Sequence, residues 1–88
     1  MSIWTDKVEH DTLQGWLDQI RESRSEGHHL SLMDDPMALC VGFCDTHTRV
    51  WHRLPLRVLK RDSHILTPQQ RELFKSHRGR FAMLRGEL

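Results

Sequence analysis

The spacing of large apolar residues in the first third of the chain predicts an amphipathic helix. Four of them recur at i, i+3, i+4 and i+7, and these are Leu13, Trp16, Leu17 and Ile20. This spacing follows the helical repeat, so the four side chains share one face. Asp11 is the predicted N-cap, with Gln14 in the capping-box position. Trp4 and Val8 extend the apolar stripe backwards and favour an alternative start near Ser2.

Shorter apolar runs in the middle of the chain predict β-strands. Residues 28–33 alternate between apolar and polar positions, and the sequence DDP at 34–36 predicts a turn. Residues 37–43 are nearly all apolar and predict a central strand. Residues 48–54 alternate and are rich in β-forming types, which predicts its partner.

The two later strands are expected to form a hairpin with a two-residue turn at Asp45 and Thr46. The register that it implies pairs Cys44 with His47, Phe43 with Thr48, Val41 with Val50 and Leu39 with His52. This register sorts most apolar side chains onto one face. Asp-Thr is not a favoured tight turn, so a longer loop with a shifted register stays open. Pro55 ends the second strand or places it at an edge, and 56–59 predict a further strand.

A capping box near the end of the chain predicts a second helix. Thr67 is the N-cap, Pro68 takes the first helical position and Gln70 completes the box. The predicted inner face carries Leu73, Phe74 and His77. Gly79 is expected to end the helix. Two later apolar positions would otherwise continue the stripe, Phe81 and Leu84.

Together these elements predict an α+β fold in a single domain over residues 1–88. The N-terminal helix and the C-terminal helix are expected to pack on the same face of a small antiparallel sheet. That sheet has two to four strands and contains the hairpin over 37–54.

The totals of the sequence exclude several classes of protein. Two cysteines in 88 residues are too few for the disulfide framework of a small secreted protein, so we expect free thiols. The start of the chain lacks the apolar core of a signal peptide, and no apolar run reaches the roughly 18 residues of a membrane span. We therefore expect a cytoplasmic protein with no membrane partner.

The net charge of +1 conceals a strong division between the two halves of the chain. Residues 1–44 hold three basic residues against eight acidic ones, a net charge of −5. Residues 45–88 hold ten against four, a net charge of +6. Such asymmetry is typical of a chain with a polyanion-binding end. Attraction between the two halves within the fold explains the charge asymmetry equally well.

The cysteines and histidines of the hairpin do not predict a metal or redox site. Their order, C-x3-C-x2-H-x4-H, supplies zinc ligand types in Cys40, Cys44, His47 and His52. Only two residues separate the cysteine pair from the histidine pair, whereas a zinc finger leaves about a dozen. The C-x3-C spacing also differs from the redox motif C-x2-C. We predict no metal and no cofactor.

An enzymatic function is not expected. The chain has no glycine-rich phosphate loop and no G-x-S-x-G motif. Cys44, His47 and Asp45 could supply the parts of a nucleophilic site, but seven histidines make such a coincidence easy. A chain of this size also has little room for a pocket that excludes water.

The candidate binding residues are basic and aromatic. Arg49, Trp51 and Arg53 are expected to alternate on the hairpin face away from the core, where guanidinium groups could neutralise phosphates and the indole could stack on bases. The predicted binding residues are Arg49, Trp51, Arg53, Arg57, Lys60, Arg61, Arg71, Lys75 and Arg78. The alternative is that Trp51 packs under the N-terminal helix while the arginines pair with acidic residues.

These observations favour a small non-enzymatic binding or regulatory module whose basic second half engages an acidic partner, either a protein or a nucleic acid. The alternative is a protein adaptor, an inhibitor or a homodimer that uses an exposed strand edge and an apolar patch. Nucleic-acid binding requires Trp51 and the arginines to be exposed together.

Overall fold

The computed structural model describes residues 6–35 and 37–87, with Glu87 described by its backbone only. The strands are β1 (Asp6–Glu9), β2 (Leu30–Asp35), β3 (Cys40–Asp45) and β4 (Val50–Pro55). The α-helices are α1 (Leu13–Ser25), α2 (Leu56–Asp62), α3 (Pro68–Phe74) and α4 (His77–Ala82). A 3₁₀ turn at Ser63–Ile65 links α2 to α3, and a wide helical turn over Met83–Glu87 follows α4. The predicted α+β class is confirmed.

The sheet is mixed, not wholly antiparallel as predicted. Its strand order is β1-β4-β3-β2, and β1 pairs with β4 in parallel. No apolar alternation in the sequence indicates β1, since Val8 is its one apolar residue, and all four of its side chains are exposed. Strand β1 joins the sheet through backbone pairing to a strand more than forty residues later, and a local pattern does not encode that.

Helix α1 starts at Leu13, well after the alternative start near Ser2. Thr12 is the N-cap, and its hydroxyl accepts a hydrogen bond from the Gly15 amide at 3.0 Å. The predicted cap, Asp11, lies one residue earlier. Val8 belongs to β1, so the backward extension of the stripe is wrong there. Ser2 and Trp4 lie outside the described residues.

The hairpin has a four-residue loop, so the predicted register is wrong by four residues. Cys44 pairs with Trp51 and not with His47. The Asp45 carboxylate stabilises the loop by accepting hydrogen bonds from the His47 and Thr48 amides at 3.0 and 3.3 Å. Because the shift is an even number of residues, the side chains that lie within β3 and β4 keep their predicted faces. The core face therefore carries the residues expected there, among them Val41, Phe43 and Leu54.

The strands on either side of the first turn, β2 and β3, begin and end later in the chain than predicted. Strand β2 continues to Asp35, and the turn lies at 37–39. The Asp35 carboxylate accepts a hydrogen bond from the Ala38 amide at 3.1 Å. Leu39 has a φ of 52°, so an extended strand from 37 was wrong. Pro36, in the predicted turn, lies outside the described residues.

The strand predicted over 56–59 is instead the start of helix α2. Pro55 is the last residue of β4 and the N-cap of this helix. It does not mark a sheet edge, since β4 lies between β1 and β3. Val58 packs into the core, whereas Leu56 and Leu59 are partly buried against it. This apolar run is too short to separate strand from helix by its period.

The predicted capping box of the last helical region is confirmed. The Gln70 amide donates to the Thr67 hydroxyl at 3.1 Å, and the Thr67 amide donates to the Gln70 side chain at 2.9 Å. The helix ends at Phe74, and α4 begins after a second N-cap, Ser76. Gly79 lies inside α4, so its predicted role as a helix end is wrong.

All helices of the described chain that contribute to the core pack on one face of the sheet. The Trp16 ring joins the two layers, with centroids 5.7 Å from Phe43 on β3 and 6.2 Å from Phe74 on α3. Its indole N–H donates to the His52 carbonyl at 3.1 Å. The predicted arrangement is matched only in part, since four α-helices take the place of the two predicted and the sheet is mixed. The opposite sheet face carries Trp51 and both cysteines.

Candidate functional site

Trp51 lies on the sheet face away from the helices and is buried, with 5% of its surface exposed. Its ring rests against Gly42, where any side chain would collide with the indole nitrogen. The Arg53 guanidinium lies 5.0 Å and the Lys7 ammonium 5.5 Å from the ring centroid. A nucleic-acid base could reach this ring only by displacing its neighbours, so the stacking surface required for nucleic-acid binding is not presented by the described residues.

Arg49 does not alternate with Trp51 and Arg53 on one strand face. It lies in the hairpin loop with a φ of 60°, before β4 begins at Val50. The predicted row of three is therefore broken by the longer loop.

Arg61 is engaged within the fold. Its guanidinium donates to the Asp62 carboxylate at 2.7 Å and to the Asp11 carbonyl at 2.7 Å. The Leu13 amide also donates to Asp62, at 3.0 Å. The hydrogen bond from Arg61, together with that from Leu13, lowers the pKa of Asp62 to about 2. Arg61 thus connects α2 to the start of α1.

Four of the predicted cations line two neighbouring cavities on helices α2 and α3, and we call them the basic surface. They are Arg57, Lys60, Arg71 and Lys75. Lys60 lines both cavities and so joins them. The sequence predicted each of these residues separately, and the fold brings them together by placing α2 and α3 beside one cavity.

The first cavity, the α2–α3 cleft, has an apolar floor and a basic rim. Its volume is about 260 Å³, and its apolar lining consists of Leu59, Leu66 and Phe74. Lys60, Arg71 and Lys75 surround this floor. Arg71 is held by donating to the Leu66 carbonyl at 3.1 Å, and Lys75 pairs with Glu72 at 3.0 Å.

The second cavity lies where the turn at 37–39 meets the start of α2. It measures about 480 Å³ and is lined by Arg57, Lys60 and one acidic side chain, Glu9. Leu39 lines it and is 66% exposed, and Met37 in the same turn is 93% exposed. Exposed apolar side chains beside cations are typical of protein-binding surfaces.

The last predicted binding residue, Arg78, is exposed on α4 and lines neither cavity. Arg53 also stands apart, on the opposite sheet face. The structure thus gathers four of the nine predicted residues and distributes the others.

The two cysteines are free and buried. Cys44 faces Trp51 across the hairpin and is fully buried. Burial and the nearby Asp45 charge raise the pKa of its thiol, which lowers its reactivity. Among residues 6–35 and 37–87, no group of three or more histidine, cysteine or acidic side chains could hold a metal ion.

The sequence did not reveal a cluster around the buried carboxylate of Asp45. The His28 ring bonds to it through Nδ1 at 2.7 Å, and Ser23 also donates to it. Burial alone would raise the pKa of Asp45, but these donors and the amides of His47 and Thr48 outweigh it and lower the pKa. The cluster joins the end of α1 to the hairpin loop. No sequence pattern relates positions 28 and 45.

A second unpredicted pair, His10 and His52, lies at the edge of the core. Nε2 of His10 is 3.1 Å from Nδ1 of His52, and the His52 ring stacks on Phe43 with centroids 4.9 Å apart. Burial, and then repulsion from His10, lowers the pKa of His52 to about 4. Burial also lowers the pKa of His10.

The described sheet has two edge strands at which the alternative function could pair with another chain, β2 and the shorter β1. Strand β1 has four residues, and three of them, Asp6, Lys7 and Glu9, are charged. A short, charged edge is the usual protection against pairing with another chain. None of the described helices combines the length and the apolar character needed to cross a membrane.

Comparisons with protein-family models, with curated proteins and with solved structures find no match to this chain.

Proposed function

We propose that the chain is a small non-enzymatic binding module whose basic surface engages an acidic protein segment that carries apolar side chains. The observation that supports this most directly is the α2–α3 cleft, where an apolar floor is surrounded by Lys60, Arg71 and Lys75. An apolar side chain flanked by carboxylates would fill the floor and pair with the rim. The free, buried thiols agree with a cytoplasmic location.

A protein partner fits this surface better than a nucleic acid. Phosphate groups would use only the cations, and the apolar floor would stay unfilled. Met37 and Leu39, exposed beside the second cavity, extend the apolar contribution. The ring of Trp51, which a single-stranded nucleic acid would need for stacking, is buried.

Two labelled peptides of equal charge test the proposal by fluorescence anisotropy. One alternates glutamate with leucine, and the other alternates glutamate with serine. We expect the leucine peptide to bind more tightly, because only its side chains fill the cleft. A labelled single-stranded oligonucleotide serves as the competing probe, and preference for it over both peptides would reject the proposed partner class.

Matched charge substitutions locate the binding. Lys60→Gln and Lys75→Gln are each expected to weaken binding of the leucine peptide by about threefold or more at low salt. Arg21→Gln removes the same charge from an exposed position on α1, paired with Asp18, and should leave affinity unchanged. Equal losses in all three variants would mean that only net charge matters and that no specific surface exists.

A further inference from the structure

A third cleft lies away from the basic surface, where the end of α1 and the start of β2 meet the last helical turn. Its volume is about 360 Å³, within the range of small-molecule sites. The polar side chains that line it are Arg24, His28, His29 and Arg85. Its apolar walls are Leu30, Phe81 and Leu84. We call it the arginine–histidine cleft.

The two guanidinium groups of this cleft have no carboxylate partner among the described side chains. Arg85 lies over the Phe81 ring, with its guanidinium carbon 5.1 Å from the ring centroid. Arg24 is half-buried, which costs desolvation energy without a described ion pair to offset it. Cations that have no carboxylate partner among the described side chains and line an apolar cavity favour binding of an anion from solution.

The backbone at Gly86 gives Arg24 its place in the cleft. Gly86 has a φ of 140°, which side-chain-bearing residues rarely adopt. A Cβ atom there would lie 3.0 Å from Nη2 of Arg24. The absence of a side chain therefore lets the guanidinium approach the last turn closely.

The negative features nearby do not close the cleft to an anion. The carbonyl groups at the end of α1 are capped, since the amides of Gly27 and His28 donate to Arg24 and Ser23 at 2.9 and 3.0 Å. Two acidic side chains contact His28: Asp45 at Nδ1, and Glu26, whose Oε2 lies 3.5 Å from Nε2. The Glu26 carboxylate is largely exposed and can rotate into solvent.

We propose that the arginine–histidine cleft binds a small organic anion with an apolar body, its phosphate or carboxylate group held between Arg24 and Arg85. His28 and His29 border the same space. The Nδ1 atom of His28 is bonded to the Asp45 carboxylate, which fixes the ring orientation. Leu30, Phe81 and Leu84 would cover the apolar body.

Binding of three probes to the full chain, followed by isothermal titration and by amide NMR, tests this proposal. Phenyl phosphate and benzoate share an aromatic body and differ in the anionic group, and benzyl alcohol is the neutral analogue. We expect at least one of the two anions to bind and to shift the amide signals of Gly27, His29 and Gly86. Benzyl alcohol should bind at least about tenfold more weakly. Equal binding of all three, or shifts confined to the basic surface, would overturn the proposal.

Single substitutions identify the anion-binding groups. Arg24→Gln and Arg85→Gln should each weaken binding of the preferred anion by about tenfold. Arg24→Lys retains the charge and should recover part of the loss, which separates an electrostatic role from a folding defect. Thermal unfolding of each variant checks that the fold is intact. Unchanged affinity in both glutamine variants would exclude the cleft.

The basic surface provides the matched control. Lys60→Gln should leave phenyl phosphate and benzoate binding unchanged while it weakens binding of the acidic peptide. Arg24→Gln should have the reverse effect. Loss of small-anion binding in Lys60→Gln would place the anion on the basic surface and reject this inference without affecting the proposed function.

Discussion

Asp45 and His52 are both buried and titratable, but the fold keeps the first ionised and the second neutral. Asp45 stays ionised because side-chain and backbone donors surround its carboxylate. His52 stays neutral because burial and the neighbouring His10 disfavour its charged form. The first residue fixes the hairpin loop, and the second makes stability depend on pH.

Lowering the pH from about 7.5 to about 5 is expected to reduce the free energy of unfolding by about 2 kcal/mol. The pKa of His52 is lowered from 6.5 to about 4 in the folded chain. The unfolded chain therefore takes up a proton in this window and the folded chain does not. Stability is complete above about pH 6.5 and is lost as the pH falls toward 4. Urea unfolding, followed by tryptophan fluorescence at both pH values, measures the change.

The variant His52→Phe is the control for this effect. A phenyl ring retains the stacking on Phe43 and cannot take up a proton, so the loss between the two pH values should shrink to about 1 kcal/mol or less. The carboxylates with lowered pKa values, Asp34, Asp45 and Asp62, contribute only below this window. A loss of the same size in the variant would assign the pH dependence to other histidines.

At the scale of elements, the parts that could be predicted are those that local chemistry determines. The capping box at Thr67 and Gln70 involves residues three positions apart, and it formed as expected. The faces of the hairpin were correct although the register was not, because alternation specifies the side and the turn specifies the offset. Strand β1 and the cluster at Asp45 depend on contacts between distant residues, so the sequence pattern could not reveal them. The positive charge of the basic surface could be predicted from the sequence, but its position could not, since it depends on where the fold places α2 relative to α3.

The close approach of α3 and α4 requires glycine at position 79, because a glycine has no side chain. A Cβ atom there would collide with the backbone carbonyl of Leu73, which is fixed in α3. Alanine favours a helix by about 1 kcal/mol over glycine. We expect the collision to outweigh this gain, so that Gly79→Ala lowers the free energy of unfolding by about 2 kcal/mol. Urea unfolding of the variant provides the measurement.

Gly27→Ala is the comparison for that substitution. A Cβ atom at Gly27 meets nothing within 4 Å, but the φ of 79° should cost about 1 kcal/mol. The difference between the two variants therefore reports the steric collision in α4. If Gly79→Ala is neutral or stabilising, α3 and α4 do not approach as closely as described.

On the scale of the whole molecule, the two oppositely charged halves are joined in part by ion pairs. Arg80 on α4 binds Asp34 on β2 at 2.6 Å, and His77 binds the same carboxylate at 3.0 Å. These hydrogen bonds lower the pKa of Asp34 although burial alone would raise it. The basic surface takes no part in these contacts, because Lys75 pairs with Glu72 in its own half. Attraction between the halves therefore leaves much of the positive charge available at the surface.

Salt should consequently affect binding much more than folding. Raising the salt concentration from about 50 mM to about 500 mM is expected to weaken binding of the glutamate–leucine peptide by about tenfold or more, because the cations of the basic surface are exposed and screened. The free energy of unfolding should change by less than about 1 kcal/mol, since exposed ion pairs contribute little and the pair Arg80–Asp34 is partly buried. Anisotropy and urea unfolding in the same buffers measure both quantities. A parallel loss of affinity and stability would mean that the positive charge of the second half is used to hold the fold together, and the partner would then have to be sought at another surface.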